Sequence, residues 1–144
     1  MISARIVVTR GKKILMGFEP PRRDGLKGNH WECPGGKLES GETILECLKR
    51  EMKEEIGTTV NIKDKMPFFF NTEIKRASGN LRGLMVYFIC TLNGKPDLSK
   101  AVDNEFSELK YLGKSEFLSL SRKGKIMGYD RKNVPELMRK LKLW

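Results

Sequence analysis

Long apolar runs are missing from this sequence, and their absence excludes a helical membrane anchor. The longest apolar stretches, such as LMVYFIC at residues 84–90, have the length of a strand, whereas a membrane-spanning helix needs about 20 apolar residues. The first residues, MISARIVVTRGKK, lack the basic segment, long apolar run and small-residue cleavage site of a secretory signal. The sequence therefore predicts a cytoplasmic protein with no membrane partner.

Cysteine and histidine are also scarce. Cys33, Cys47 and Cys90 are odd in number, are widely spaced and form no CxxC pair, so we interpret them as reduced thiols that pack in the core of a cytosolic protein. His30 is the only histidine. A lone histidine is a weak basis for a metal site, and we expect His30 to be a loop residue near the mouth of a pocket.

Internal repeats, low-complexity tracts and linker-like stretches are absent, which predicts one domain over residues 1–144. The net charge of +10 favours anionic partners. Phosphorylated small molecules and nucleic acids both qualify, and a lysine-rich surface that only maintains solubility is the alternative. No block of five like charges and no aromatic RNA-binding signature occurs. The oligomeric state stays open.

Periodicity and turn residues predict a mixture of strands with separate helices, and hence the α+β class. Pro34-Gly35-Gly36 is predicted to be a turn, and residues 19–30 a loop. The predicted strands are 2–9, 13–18, 31–33, a stretch within 58–76 that is interrupted near 65–67, 82–92 and 106–112, and the predicted helices are 44–56, 114–120 and 134–143.

Local signals define the helix at 44–56 at both ends. Thr43 and Glu46 fit a capping box, and Gly57 suits the left-handed position that follows a helix. The apolar residues that share one stripe of this helix, and are expected to face the core, are Leu45, Leu48, Met52 and Ile56.

Three carboxylates share another face of the same helix. Glu51, Glu54 and Glu55 are spaced i, i+3, i+4, so they lie beside one another and repel. Oxygen ligands of this kind suit Mg²⁺, which often binds together with substrate phosphates. Taken alone, a solvated acidic face is the simpler interpretation.

The spacing around these carboxylates resembles the Nudix box, the signature of the Nudix hydrolase family. Five residues separate Gly36 from Glu42, seven more lead to Arg50-Glu51, and the segment Met52–Gly57 (MKEEIG) completes the pattern. Thr58 stands where an aliphatic residue is usual. The resemblance implies a Nudix α/β/α sandwich around a mixed β-sheet. It also implies hydrolysis of a pyrophosphate bond in a nucleotide, with Mg²⁺ as cofactor and Mn²⁺ as the alternative ion.

The resemblance also assigns roles within the box. Glu51, Glu54 and Glu55 match the metal ligands of the family, and Glu51 is in addition a candidate general base. Arg50 matches the arginine that pairs with these carboxylates. The carbonyl of Gly35 is a further expected ligand, and Glu42 matches a glutamate that is structural or reaches the metal through water.

Outside the box the resemblance indicates four more residues. Glu105 matches an additional metal-binding or base glutamate, with a solvated loop residue as the alternative. Arg22 and Arg23 stand where the family often places a phosphate-contacting arginine, with surface charge as the alternative. Asn133 matches an asparagine that binds a purine base, but Asn133-Val134-Pro135-Glu136 also fits a helix N-cap.

The segment WECPGGK at residues 31–37 resembles the MutT-like branch of the family. That branch implies cleavage of nucleoside triphosphates between the α and β phosphorus, which gives a monophosphate and pyrophosphate. The alternative enzymes are an ADP-ribose or nucleotide-sugar pyrophosphatase and an RNA 5′-end pyrophosphohydrolase. A binding module for nucleotides or RNA is the non-enzymatic alternative, and the complete carboxylate set argues against it.

Overall fold

A five-stranded mixed sheet lies at the centre of the fold. The computed structural model describes residues 1–23, 28–64 and 66–144. Strand β1 runs parallel to β8, while the other pairings in this sheet are antiparallel. The spatial order is β5-β1-β8-β6, and β7 pairs with the first part of β8. The strands are β1 (Ile2–Val7), β5 (Gly35–Lys37), β6 (Val60–Ile62), β7 (Phe68–Ile74) and β8 (Leu81–Leu92).

A second, antiparallel sheet contains the remaining strands. In this sheet β3 pairs with β2, β4 and β9. Its strands are β2 (Thr9–Arg10), β3 (Lys13–Glu19), β4 (His30–Glu32) and β9 (Glu108–Leu112). The predicted single strand at 2–9 is thus two strands in different sheets, because the chain leaves β8 after Val7 and pairs with β3 from Thr9 onwards.

Helices cover both faces of the central sheet. They are α1 (Ile44–Ile56), α2 (Lys114–Arg122) and α3 (Gly128–Lys140), and a short 3₁₀ turn spans Leu98–Lys100. Alternate residues of β8 enter two separate cores: Val86 and Phe88 pack with α1, whereas Met85 and Tyr87 pack with α2 and α3. This alternation follows from the two-residue period of a strand. The predicted α+β class and the sandwich arrangement are confirmed.

The segment Pro34-Gly35-Gly36 was predicted to be a turn, and that prediction is wrong. Gly35 and Gly36 belong to β5, where they pair with Arg5 and Ala4 of β1. The φ angle of Gly35 is 140°, and a Cβ atom there would lie 2.1 Å from the carbonyl oxygen of Ala4. Glycine is therefore required for close strand pairing, which the sequence alone does not distinguish from a turn.

Two details of the helices also differ from the prediction. Leu45 is 47% exposed, and Cys47 takes its place in the core with no exposed surface. Helix α3 begins at Gly128 rather than at residue 134, so Asn133 lies inside the helix and does not cap it. Asp130 in the first turn is buried, and it accepts hydrogen bonds from the Cys33 amide and the Tyr87 hydroxyl, which hold this earlier start in place. Within the described part of the chain, no helix is long and apolar enough to span a bilayer.

Candidate active site

Helix α1 is fixed at both ends by the predicted local signals. The Thr43 hydroxyl accepts a hydrogen bond from the Glu46 amide at 3.2 Å, and the Glu46 carboxylate accepts one from the Thr43 amide at 2.8 Å. Gly57 has a left-handed φ of 66°. The bounds of α1 agree with the predicted 44–56. These caps fix the register of the helix, and with it the direction of each glutamate.

Arg50 connects three carboxylates of the box. Its Nε donates to Oε1 of Glu42 at 2.8 Å, and its Nη1 donates to Glu51 at 2.8 Å and to Glu54 at 3.1 Å. The hydrogen bonds from Arg50 lower the pKa of Glu42 to about 2. The arginine therefore compensates part of the negative charge of this face and sets the positions of its carboxylates.

Glu51 and Glu55 are packed against the two glycines of β5. The Glu55 carboxylate is almost completely buried, and it accepts a hydrogen bond from the Gly35 amide at 2.7 Å. A Cβ atom on Gly36 would lie 2.0 Å from Oε1 of Glu51. Burial raises the pKa of both carboxyl groups, and for Glu55 the neighbouring Glu105 adds to the increase. Gly36 thus makes room for the Glu51 carboxylate, and the Gly35 amide binds the Glu55 carboxylate.

The structure brings Glu105 to the same place. Its loop is anchored on either side, because the Asp103 amide donates to the Glu54 carbonyl at 2.8 Å and the Ser107 amide donates to the Phe18 carbonyl at 3.0 Å. The buried ring of Phe106 lies against Gly17, where a Cβ atom would come within 2.5 Å of the ring. Glu105 is consequently held close enough to Glu55 for its carboxylate to contribute to the raised pKa of Glu55.

The donor set on α1 fits a hard divalent cation. Glu51, Glu54 and Glu55 offer carboxylate oxygens, and Gly35 adds a nearby backbone carbonyl, which are the ligand types that Mg²⁺ prefers. Burial raises the pKa of Glu51 and Glu55, and a positive ion beside them would offset the cost of their charged forms. Arg50 and the Gly35 amide hold these carboxylates in position.

A cavity of about 390 Å³ adjoins Glu105, and Arg22 lies in its wall. The Nε of Arg22 donates to Oε1 of Glu19 at 2.7 Å. Arg23 is exposed and is not part of the lining. The lining residues are Glu19, Pro20, Pro21, Arg22, Asp103, Asn104 and Glu105. The wall therefore carries one of the two predicted phosphate-contacting arginines.

Asn133 lies in the interior, away from the residues that line this cavity. It is 2% exposed, and its Nδ2 donates to the Tyr87 hydroxyl at 3.3 Å. That hydroxyl donates to Asp130 at 2.6 Å, and Asp130 also accepts from the Cys33 amide at 2.7 Å. The amide thus supports a buried network in this conformation, and base contact by Asn133 stays a prediction.

Sequence reasoning missed a second buried polar group around Arg5. This arginine donates to the Tyr129 hydroxyl at 2.6 Å and to the Cys33 carbonyl at 2.9 Å, and the same hydroxyl donates to Glu32 at 2.9 Å. Burial raises the pKa of Glu32 to about 7 although Arg5 opposes the increase. The one signal in the sequence was a charged residue inside the apolar strand ISARIVV.

Comparison with known protein families agrees with this site. The NUDIX domain family matches residues 1–133, which include the whole glutamate-rich helix and Glu105. The match covers most of the 144 residues. The chain therefore belongs to the NUDIX family.

Among curated proteins, the chain is similar to two bacterial enzymes named nucleoside triphosphatase NudI. It is 30% identical to the one from Salmonella arizonae over 98 residues, which are 65% of this chain and 68% of that protein. It is 29% identical to the one from Enterobacter sp. (strain 638) over 120 residues, which are 80% and 82%. The 8-oxo-dGTP diphosphatase of Proteus vulgaris is 37% identical over 59 residues, which are 41% of this chain and 51% of that enzyme.

Solved structures resemble the fold over most of its length. A MutT protein from Methanosarcina mazei Go1 superimposes with a TM-score of 0.68 at 20% identity, and the match covers 99% of this chain and 95% of that one. The dihydroneopterin triphosphate pyrophosphohydrolase of E. coli gives 0.61 at 21% identity and covers 96% and 95%. At these identities the likeness establishes the fold alone.

Proposed function

We propose that this protein hydrolyses nucleoside triphosphates to a nucleoside monophosphate and pyrophosphate, with Mg²⁺ as cofactor. The observation that carries the proposal is the set Glu51, Glu54 and Glu55 on α1, organised by Arg50 and joined by Glu105. The names of the similar NudI and 8-oxo-dGTP enzymes support the triphosphate substrate. We further propose that residues 1–144 act as one domain in the cytoplasm.

Each residue of the site has a defined task in this reaction. Glu51, Glu54, Glu55 and the Gly35 carbonyl would hold Mg²⁺, which screens the phosphate charge and acidifies water. Arg50 keeps two of the carboxylates oriented through its Nη1. Arg22, which lines the cavity, would contact a phosphate oxygen.

Proton transfer requires a carboxylate beside the attacking water. Glu105 lies near Glu55, and Glu51 is on the same helix as Glu55. We assign the general base to Glu51 or Glu105. Water forms a bond to one phosphorus of the bridge between the α and β phosphates, and its proton passes to the base. The bond from that phosphorus to the bridging oxygen breaks, and this oxygen leaves with the other phosphate group.

The decisive experiment is a Mg²⁺-dependent hydrolysis screen with identified products. The substrates are dNTPs, oxidised dNTPs, ADP-ribose, dinucleoside polyphosphates, and capped or triphosphorylated RNA. We expect the highest kcat/KM with a nucleoside triphosphate, and pyrophosphate as the product. A preference for ADP-ribose or for an RNA 5′ end would replace the proposed substrate with that alternative. The net charge of +10 is the observation that keeps RNA in the screen.

The Glu54→Gln variant tests whether the α1 carboxylates carry the activity. We expect it to lose most turnover and to keep its fold, because the change removes a ligand charge and hardly alters shape. Glu136→Gln is the matched control, since Glu136 is a partly exposed residue of α3 that pairs with Lys140. A Glu54→Gln enzyme with nearly full rate at saturating Mg²⁺ would remove Glu54 from the metal site.

A further inference from the structure

A second group of ligand-type side chains lies where β3 ends and β4 begins. His30 is paired across the strands with Glu19, and Glu32 is two residues further along β4. Alternate residues of a strand share a face, and directly paired residues lie side by side. One ligand atom from each of the three side chains lies within 4.8 Å of the others.

The hydrogen bond at Nδ1 of His30 determines whether Nε2 of the same ring has a free lone pair for a metal ion. Nδ1 of His30 lies 3.1 Å from the Gly28 carbonyl, which only accepts, so Nδ1 carries a proton. In the neutral ring Nε2 then presents its lone pair. Nε2 is buried and has no hydrogen-bond partner among the residues described by the structure. It lies 3.3 Å from Oε2 of Glu19 and 3.9 Å from Oε2 of Glu32.

Other contacts hold both carboxylates in place. Oε1 of Glu19 accepts from Arg22 at 2.7 Å, which leaves Oε2 directed at the ring. Oε2 of Glu32 accepts from the Tyr129 hydroxyl at 2.9 Å. Glu19 is 6% and Glu32 is 2% exposed. Outer contacts of this kind orient the ligands of protein metal sites, and a carbonyl bonded to the remote ring nitrogen is the usual partner of a metal-binding histidine.

The charges around the ring are unbalanced in favour of a cation. Glu19, Glu32 and the completely buried Asp130 place three carboxyl groups near the ring. Among the described residues, the cations that pair with them are Arg22, which binds Glu19, and Arg5, which binds Glu32. Among the described residues, no donor is shared by these three acceptor atoms, and acceptor atoms that converge in this way repel one another. A positive ion between them removes that repulsion.

We propose that Glu19, His30 and Glu32 form a binding site for Zn²⁺ or a divalent ion of similar softness. Three ligands of nitrogen and carboxylate type with an open fourth position are an established zinc arrangement. Ligand atoms about 2.1 Å from a tetrahedral zinc lie about 3.4 Å apart, and the 3.3 Å between His30 and Glu19 already fits. Imidazole favours Zn²⁺ over Mg²⁺, so the site differs in selectivity from the all-oxygen set on α1.

A metal ion at this site would link β3 to β4. Glu19 also lines the cavity, so the site would lie next to it. The proposal does not depend on which nucleotide the enzyme cleaves. It is therefore tested by metal binding alone, on the full chain.

The single imidazole of the chain provides a direct readout. We would record its ring resonances by NMR with ¹⁵N-labelled histidine, first with excess Mg²⁺ and then with increasing Zn²⁺. The expected result is a saturable change at Nε2 with one equivalent of Zn²⁺ and none with Mg²⁺. A ring that responds only to pH, as expected if a proton is the sole cation bound there, would overturn the proposal.

Variants separate this site from the carboxylates of α1. Glu19→Gln should weaken Zn²⁺ binding at least tenfold in a competition titration with a chromophoric chelator, and His30→Gln should do the same. Glu54→Gln is the control and should keep the Nε2 response. Zn²⁺ should raise the Tm of the wild-type chain but not of the Glu19→Gln chain. Unchanged Zn²⁺ affinity in Glu19→Gln and His30→Gln would place the ion elsewhere and contradict the site.

Discussion

At the scale of single residues, Gly36 of β5 belongs to the candidate site because its missing side chain leaves space for the Glu51 carboxylate. We expect Gly36→Ala to reduce kcat/KM, since the new methyl group would overlap with Oε1 of Glu51 and displace it. A shift of about 1 Å in a catalytic group can cost about 10²-fold in rate. Gly113→Ala is the control, because its Cβ would make only an ordinary contact 3.7 Å from the Lys13 side chain.

The two measurements to compare are Mg²⁺ affinity and steady-state rate. Weaker Mg²⁺ binding together with a lower rate would show that the methyl group disturbs the metal ligands. If Gly36→Ala retained wild-type kcat/KM, the packing of Glu51 on Gly36 would have no bearing on catalysis.

Mg²⁺ binding should also release protons. The pKa values of Glu51 and Glu55 are raised by burial, and a metal ligand must be deprotonated before it binds. The apparent Mg²⁺ affinity should therefore fall as pH decreases, because protons compete increasingly well for the same oxygens. Calorimetry in two buffers with different ionisation enthalpies measures the number released. A Glu55→Gln chain should release fewer protons, and an affinity that does not fall as pH is lowered would be inconsistent with this coupling.

At the scale of elements, local signals were sufficient for some segments and not for others. Helix α1 was predicted with its correct bounds because its cap, its period and its terminal glycine all lie within the segment itself. Strand β5 was missed because its pairing with β1 joins residues about 30 positions apart. The start of α3 was missed because burial of Asp130 among distant residues outweighs the capping pattern at Asn133.

The same distinction applies to the candidate site. The Nudix spacing predicts the α1 carboxylates as metal ligands from the sequence alone, because all of them lie on one helix, and this role stays a prediction. The zinc-type cluster was missed because Glu19, His30 and Glu32 become neighbours only when β3 pairs with β4. The sequence around a single histidine does not indicate which carboxylates will lie beside it in the folded protein.

Gly17 of β3 contacts the Phe106 ring in the loop that carries Glu105, and this contact can be tested by substitution. Gly17→Ala would force a methyl group into the Phe106 ring, and overpacking of this kind typically costs about 1–3 kcal/mol of stability. We expect a lower Tm and also a lower kcat, because the displaced ring would move Glu105 away from Glu55.

A double variant distinguishes this contact from a general loss of stability. Gly17→Ala combined with Phe106→Leu should recover part of the Tm, since the smaller side chain makes room for the methyl group. Gly128→Ala, where a Cβ meets no atom within 4 Å, is the control. Purely additive effects of the two substitutions would show that Gly17 and Phe106 are not coupled.

At the scale of the whole molecule, the net charge of +10 bears on how substrate is captured. Long-range attraction of a polyphosphate should increase its association rate, and salt screens that attraction over about 10 Å at 0.1 M. We expect kcat/KM for a nucleoside triphosphate to fall as salt is raised over roughly 50–300 mM, with little change in kcat. RNA would give a steeper slope, because several phosphates release counterions at once. The slope is obtained from steady-state rates at fixed Mg²⁺, with NaCl as the added salt. A flat response would show that the basic surface has no role in substrate capture, and the specificity would then rest on the residues lining the cavity.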